Sequence, residues 1–412
     1  MILANGRLGV DSPWLDKKFV RLFLSRTIST TGSAVAPIAL AFAVLDLTHS
    51  PFDLSLVLAA QIVPEVLLLL IGGVFGDRYS RSRLMVMSNL IAFASELLIA
   101  IDLFTKRATL SELIVLSIFN GAAVALYTPA SSGIVAEIVS TNRQHVNAVL
   151  RIGSNSARLG GAALGGVVVG LTSPATAIFY DSLTFLVSAT LLVGIPLGNV
   201  KSGRSIGMLT EMREGWSEFR SRTWLWSMVL QAMFVNVALM GGFFLLGPVI
   251  SKQHFGGPAA WGALVASFSG GYIAGGFVSL KWRPRRALIW SIVCITATAP
   301  LLLALAMPLH PWIVCCFAIV AGVGLEIYSI QWQTVIQDEI PIESLSRVSS
   351  FDALGSYAFI PIGYLVAGSL ASSIGVRATL IWMAAVVFSS GLIVAGIPSI
   401  RKFQKNDAAV VT

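Results

Sequence analysis

The chain carries twelve apolar runs that are each long enough to cross a membrane, and this limits its fold more than any other feature. A transmembrane helix needs ~20 apolar residues, and the runs lie near 19–47, 51–76, 84–104, 110–133, 147–170, 174–198, 224–250, 258–280, 287–307, 311–335, 347–370 and 376–398. Charged residues make up 12% of the 412 residues, against about 25% in soluble domains. The sequence predicts an all-α membrane protein with twelve transmembrane helices, and it excludes a soluble globular enzyme.

Basic residues are concentrated on one side of the predicted membrane. Of the 28 Lys and Arg, 22 lie in the N-terminal segment, the loops after even-numbered spans with their flanks, and the tail. The other side holds four, namely Lys106, Arg107, Lys252 and Arg377. The positive-inside rule then places both termini in the cytoplasm of a multi-pass inner or plasma membrane protein. The net charge of +8 is thus a topology signal, and we expect no nucleic-acid partner.

A parallel internal repeat divides the chain into two halves. The stretches 72–83 (GGVFGDRYSRSR) and 275–286 (GGFVSLKWRPRR) each follow the second span of their half, and both face the cytoplasm. Parallel six-helix repeats are one known transporter plan. We therefore predict a cytoplasmic N-terminal segment, a first bundle, a linker with an amphipathic helix, a second bundle and a cytoplasmic tail, over residues 1–18, 19–198, 199–223, 224–398 and 399–412.

The first copy of the repeat resembles the signature Gly-x-x-x-Asp-Arg-x-Gly-Arg-Arg of the major facilitator superfamily. The matching residues are Gly73, Asp77, Arg78 and Arg81, with Arg83 near the last basic position. Ser80 replaces the family's second glycine. The resemblance implies that spans 1, 4, 7 and 10 line a central cavity, and that spans 3, 6, 9 and 12 support it from outside.

Other stretches are similar to the exporters of this superfamily. Asn155–Gly166 resembles the glycine-rich fifth helix of export members. Asp181–Ser188, the linker helix and Arg347–Ser350 resemble the branch that holds macrolide-efflux and siderophore-export permeases similar to the enterobactin exporter. Export rather than import rests on this resemblance.

The sequence contains no motif for catalysis or for direct use of ATP. It lacks the phosphate-binding pattern G-x-x-x-x-G-K-[ST], and it lacks HExxH and CxxC. We therefore expect a non-enzyme with no cofactor and no metal site, driven by an ion gradient, with a proton gradient as the first choice. We expect it to act as a monomer on a small molecule among membrane lipids.

Ionisable residues inside the spans are functional candidates, because each costs ~2.5–3.5 kcal/mol on insertion scales. The candidates for the substrate or proton pathway are Glu326, Arg26, Glu65, Glu96, Arg158, Asp181 and Asp352. The resemblance favours Glu326 and Arg26, since spans 10 and 1 line the cavity. Helical rise puts Arg158 and Asp181 roughly 16 Å and ~20 Å from the inner boundary, so we expect a structural ion pair between them.

Two further features suggest how the halves move. G-x-x-x-G spacing in spans 5 and 8 (Gly161, Gly165, Gly166, Gly170; Gly271, Gly275) allows close helix packing, and the resemblance brings those two spans together across the halves. The signature residues Gly73, Asp77, Arg78, Arg81 and Arg83 are predicted to latch onto the start of span 11 when the cytoplasmic side is closed. The second repeat has Leu280 in place of Asp77, so this latch exists in one half only.

We expect a secondary active transporter, a proton-coupled exporter of amphipathic drugs or of a siderophore-like metabolite. Two alternatives remain open at this stage. One is a nutrient uptake permease of the same fold, and the other is a membrane sensor or scaffold without transport.

Overall fold

The computed structural model describes residues 16–78, 80–138, 143–193, 195, 208–282, 284–307 and 309–403. It describes the backbone alone for 69–78, 132–133, 136–137, 143–145, 147–148, 208–214, 342–343 and 346. Within these ranges, eleven helical stretches are long and apolar enough to cross a membrane. The other predicted span corresponds to a helix of sufficient length, Arg143–Leu171, which carries polar residues along one face. The all-α membrane fold is confirmed.

The first half consists of six long helices joined by short turns. They are α1 (Lys17–Thr48), α2 (Pro51–Arg78), α3 (Arg81–Phe104), α4 (Leu110–Ile138), α5 (Arg143–Leu171) and α6 (Pro174–Val193). Prolines begin α2 and α6, as expected for a residue whose missing N–H is unpaired at a helix start anyway.

The linker contains α7 (Met208–Ser221), and the second half follows it. Its spans consist of α8 (Thr223–Ala238) continued by a π-helical segment (Leu239–Leu245), α9 (Leu246–Ile250) and a second π-helical segment (Ser251–Phe255); α10 (Pro258–Lys281); α11 (Ala287–Thr296) with α12 (Thr298–Ala306); α13 (Pro311–Glu339); α14 (Ile342–Tyr357) with α15 (Ile360–Ile374); and α16 (Val376–Ala395). A short helix, α17 (Pro398–Arg401), follows. The ninth and eleventh predicted spans are thus each interrupted once.

Successive spans run in opposite directions, which gives the molecule two ends. We call the end that holds the start of α1 and the linker helix α7 the linker face. The far face holds the turns at 49–50, 105–109, 172–173 and 256–257. At the last of these turns, Gly256 and Gly257 adopt φ of 87° and 95°, a region that residues with a Cβ rarely occupy.

The two halves meet through α5 with α10 and through α2 with α15. Near the far face, a Cβ built on Gly262 of α10 would lie 2.6 Å from the Cα of Gly166 in α5. Close to the same face, a Cβ on Gly368 of α15 would lie 2.6 Å from the Cβ of Ser55 and 3.1 Å from the Cα of Phe52 in α2. At the far face, α10 and α5 therefore touch backbone to backbone, and α15 packs closely on the start of α2.

The sequence pattern assigned some of these glycines to the wrong neighbour. Gly271 and Gly275 pack on α13 within the second half, beside Gly322 and Val323. Gly161 packs on α1 within the first half. Only Gly166 and Gly170 of the predicted set contact α10. The spacing correctly indicated close packing, but it does not encode which face of a helix meets which partner.

The linker helix α7 docks on the second half. The ring of Phe219, which is buried, lies 6.1 Å from that of Phe351 in α14, and the ring of Trp216 lies 5.4 Å from it. Arg222 forms an ion pair with Glu218 and donates to the carbonyl of Glu339 at 2.8 Å. The linker is therefore attached to the end of α13 and to α14.

Candidate functional site

A central space opens between the halves toward the linker face. Ala162 and Gly166 of α5 are buried against α10. Arg158, Asn155 and Arg151 continue the same face of α5 toward the linker face, at helical spacings of three and four, and all three are exposed. One face of one helix is thus covered near the far face and uncovered near the linker face, so the halves diverge in that direction.

Polar side chains from both halves converge in this space. The hydroxyl of Tyr272 in α10 lies within electrostatic range of Arg158, Glu326 and Tyr357. Glu326 in α13 is half-buried and lies within electrostatic range of Arg151. These residues come from α5 in the first half and from α10, α13 and α14 in the second. The geometry brings the predicted candidates Glu326 and Arg158 into one cluster.

Glu326 has no hydrogen-bond partner among the described residues. Of the polar residues that follow it on α13, Gln331 accepts from Ser291 at 3.2 Å, and the ring of Tyr328 stacks on Trp332 with ring centroids 6.4 Å apart. Its Cβ is set close to Gly275, which lets α13 approach α10. The carboxylate is therefore held in place by helix packing and is available to a ligand.

Two further candidates, Glu65 and Arg26, differ in the half that they contact. Glu65 of α2 is half-buried and lies within electrostatic range of Tyr364 in α15, on the opposite half. Arg26 of α1 donates to the hydroxyl of Ser131 in α4 at 3.2 Å and lies near Tyr127. Arg26 is therefore engaged within the first half, while Glu65 is placed between the halves.

Asp352 is engaged within the second half. The indole N–H of Trp332 lies 3.1 Å and 3.2 Å from its two carboxylate oxygens. This contact joins α13 to α14, the helix on which the linker docks. Among the candidates, Asp352 has the clearest structural role.

Glu96 and Asp181 form a buried carboxyl pair inside the first half. They are 6% and 1% exposed, and their carboxyl groups lie within hydrogen-bonding reach of each other between α3 and α6. The predicted Arg158–Asp181 ion pair is wrong, because Arg158 points into the central space and Asp181 points into the core. Similar depth does not specify the direction in which a side chain points.

Neutral side chains hold this pair in position. Asn120 of α4 donates to Glu96 Oε1 at 2.9 Å, and its own carbonyl oxygen accepts from Gln61 of α2 at 3.2 Å. The bond from Gln61 orients the Asn120 amide so that its NH₂ group faces Glu96. The Thr184 hydroxyl lies 3.0 Å from Asp181 Oδ1. Four helices thus contribute to one network.

The predicted latch falls largely outside the described side chains. Gly73, Asp77 and Arg78 belong to the stretch of α2 whose backbone alone is described, while Arg81 is half-buried and Arg83 exposed at the start of α3. The latch stays a prediction. Within the described residues, no cluster of three His, Cys, Asp or Glu side chains could hold a metal ion.

Sequence reasoning missed Arg151 and Tyr272 in the central cluster, and the partnership of Glu96 with Asp181. A depth comparison could have found the last of these. Glu96 lies eight residues before the end of α3 and Asp181 seven residues after the start of α6, so both lie roughly 10–12 Å below the far face at the helical rise. Arg151 lies four residues after the predicted start of span 5, so the charge pattern assigns it to the loop flank.

Comparison with known proteins agrees with this architecture. The macrolide efflux protein A of Streptococcus pyogenes is 23% identical over 408 residues, covering 94% of this chain and 97% of that protein. The multidrug efflux pump Tap of Mycobacterium tuberculosis is 22% identical over 407 residues, covering 94% of both. The crystal structure of the nucleoside transporter NupG superposes with a TM-score of 0.75 at 11% identity, over 94% of this chain and all of that one.

The family model of the Major Facilitator Superfamily matches residues 22–358, which is most of the chain and includes helices from both halves. Two helical bundles that meet at one end and enclose a polar space at the other are consistent with that match. This chain belongs to the Major Facilitator Superfamily and is a multi-pass membrane transporter.

Proposed function

We propose that this transporter exports amphipathic small molecules from the cytoplasm across the plasma membrane in exchange for protons. The observation that carries the proposal is the central cluster, in which Arg158 and Arg151 face Glu326 and Tyr272 across the space between the halves. A ligand that bridges these groups contacts both halves at once. Its binding free energy therefore depends on the arrangement of the halves, which is the requirement for alternating access.

The proposed direction rests on orientation and on the relatives. The bias of 22 to 4 basic residues supports a cytoplasmic linker face, so the open space would receive substrate from inside the cell. The names of the two efflux relatives support export, and they support a drug as one substrate class. The paired arginines also suit an anionic group, as in a siderophore-like metabolite.

Aromatic side chains near the cluster suit the apolar part of such a substrate. Tyr357 at the end of α14 lies within electrostatic range of Tyr272 and is 47% exposed. Flat rings offer large contact areas without requiring a specific polar partner. A cavity with a polar cluster and exposed rings is typical of binding sites for amphipathic molecules.

The proposal is tested by uptake into inside-out vesicles, with and without a pH gradient. The panel contains erythromycin as a macrolide and a catechol-amide compound as a siderophore mimic. Accumulation that requires the gradient supports proton-coupled export and identifies the class. Accumulation only in right-side-out vesicles would instead identify an uptake permease.

Glu326→Gln tests the cluster itself. The variant keeps the shape and removes the charge opposite Arg151, so we expect accumulation of the transported compound to fall about ten-fold, as for the loss of one charged contact. Glu112→Gln, an exposed acid at the far face, is the control. Full activity of Glu326→Gln would assign this residue a structural role, and Glu65 and Arg26 would become the next candidates.

A further inference from the structure

Glu96 of the carboxyl pair in the first half borders a cavity that the proposed substrate pathway does not use. This cavity has a volume of about 180 Å³ and is lined by Glu96, Asn120, Gln61 and Ser117, together with Ser33 and Pro37 of α1. Ser33 and Pro37 are exposed. The cavity therefore connects the buried pair with the surface of α1.

Several oxygen atoms around this cavity are buried and unsatisfied. Among the described residues, Glu96 Oε2, Asp181 Oδ2 and Ser117 Oγ have no hydrogen-bond partner, and Ser117 is 1% exposed. At the exposed end of the cavity, the missing N–H of Pro37 removes the helix hydrogen bond to the carbonyl of Ser33. Buried polar groups are normally satisfied, so this concentration indicates a site that binds something.

The chemistry of the pair identifies a proton as the ligand. Two buried carboxyl groups in contact cannot both be ionised without a large energetic cost, so the pair retains at least one shared proton. Each carboxyl group has one oxygen facing a neutral donor, Asn120 or Thr184, and its other oxygen lacks a partner among the described residues. With one proton the pair is an acid and a carboxylate, and that carboxylate can accept a second proton.

No described cation compensates the pair. The groups that face it are Gly32 and Ser33 from α1, Gln61 from α2, Ser117 and Asn120 from α4, and Thr184 from α6, none of which titrates in this range. Arg26 is engaged with Ser131 instead. A sodium ion fits less well, because Asn120 presents its NH₂ group to Glu96 and the two carboxyl groups contact each other directly.

We propose that the Glu96–Asp181 pair is the proton-binding site of this transporter, and that it exchanges its second proton with the central space past Ser33 and Pro37 of α1. In the state open at the linker face, the O–H bond of one carboxylic acid breaks and the proton passes to water, leaving the carboxylate with one shared proton. This inference rests on the proposed proton-coupled export, and it assigns the coupling site to the first half alone.

The second half offers no equivalent. Its spans 9 and 12, which correspond to α3 and α6, are α11 with α12 and α16, and their sequences contain no Asp or Glu. The positions 203 residues after Glu96 and Asp181, the offset of the repeat, are Ala299 and Ala384, each 2% exposed. Proton binding and substrate contact by Glu326 would therefore take place in different halves.

The test is infrared difference spectroscopy on the full-length protein in lipid nanodiscs, which needs no substrate. Wild type is expected to show a protonated-carboxyl C=O band in neutral buffer that grows on acidification and shifts in D₂O. The double variant with Glu96→Gln and Asp181→Asn should lose both the band in neutral buffer and its growth on acidification. The control Glu112→Gln should keep both. An unchanged band in the double variant would overturn the proposal, and a band that disappears when Na⁺ replaces K⁺ would favour a sodium site.

A transport measurement then separates this inference from the proposed function. In proteoliposomes with erythromycin as the probe, Glu96→Gln is expected to lose gradient-driven uptake by about ten-fold or more, while exchange of labelled for unlabelled erythromycin continues. If wild type shows neither activity, the proposal of macrolide export fails and the infrared result stands by itself. Equal loss of both activities with a correctly folded variant would contradict a role limited to the proton.

Discussion

The two ends of this transporter are held by different physical means. At the far face the halves touch backbone to backbone where Gly262 of α10 is set against Gly166 of α5, and Gly368 of α15 is set against Ser55 of α2. At the linker face the halves diverge, and the arginines of α5 are exposed. The predicted contact that closes this end involves charged side chains around Asp77.

The difference indicates how each closure responds to change. A backbone contact has no side chain that can rotate away, so one added methyl group prevents it. A charged contact changes by the strength of its hydrogen bonds, and solvent weakens it. We therefore expect steric changes at the far face to have the largest effects on the equilibrium between states.

Gly262→Ala should shift that equilibrium most. Its Cβ would lie 2.6 Å from the Cα of Gly166, and overpacking of this kind typically costs about 1–3 kcal/mol. The cost applies only when the far face is closed, so the state open at the linker face should become roughly ten-fold or more less populated. The readout is labelling of a cysteine placed at Ser55, which is buried at this contact. Labelling should rise as the far face opens.

Gly270→Ala is the matched control for that variant. Gly270 lies on the same helix, and a Cβ there would have no atom within 4 Å. Both variants add one methyl group to α10, so their helix propensities change alike. Equal labelling of the two variants would show that the backbone contact does not hold the far face closed.

Asp77→Asn should have the next largest effect, in the opposite direction. If Asp77 accepts charged hydrogen bonds only when the linker face is closed, the variant loses about 1.5–3 kcal/mol from that state. The population of the open state relative to the closed state should then rise roughly ten-fold or more. Labelling of a cysteine in the central space should rise and transport should fall. Binding of erythromycin from the linker face should persist or tighten.

Leu280→Asn is the control for the latch, because Leu280 occupies the equivalent position of the second repeat and is 72% exposed. Leu280→Asn should change labelling of the same cysteine in the central space far less than Asp77→Asn does. Unchanged labelling in Asp77→Asn would reduce the signature loop to a topology signal.

Lys252→Ala should have the smallest effect. The Lys252 ammonium donates to the carbonyl of Leu45 at 2.8 Å and to Asp46 at 2.5 Å, so it joins α1 to the second half at the far face. Both side chains are partly exposed, at 34% and 57%, so the pair contributes about 0.2–1 kcal/mol. Labelling of the cysteine at Ser55 should rise by less than in Gly262→Ala, and added salt should abolish the difference from wild type. A rise as large as that in Gly262→Ala would mean that charge also governs this closure.

The sequence predicted the architecture well because the membrane leaves few options. Without water in the bilayer core, backbone polar groups must be paired within each span, so apolar runs of sufficient length become helices. The repeat and the signature loop then led to the superfamily. The interruptions of spans 9 and 11 and the π-helical segments after α8 were not predicted, because they depend on contacts between helices rather than on the composition of one span.

The individual candidates were predicted with less success. Glu326 and Arg158 were selected as ionisable residues inside spans, and the structure brings both to Tyr272. The ion pair assigned to Arg158 and Asp181 is wrong, and α5 faces α10 through Gly166 and Gly170 rather than through all its glycines. A one-residue step rotates a side chain by about 100° around a helix, so small errors in helix orientation change every partner.

The sequence by itself determined the number of spans, the parallel halves, the bias of basic charge and the ionisable residues that the membrane would otherwise exclude. Those properties follow from the free energy of each segment in lipid, which depends on local composition. Only the tertiary structure decided that Glu96 faces Asp181 and that Glu326 faces Arg151. It also decided that the halves close at Gly262 and diverge at Arg158. Those properties depend on the rotation of each helix about its axis, which packing among many helices sets together.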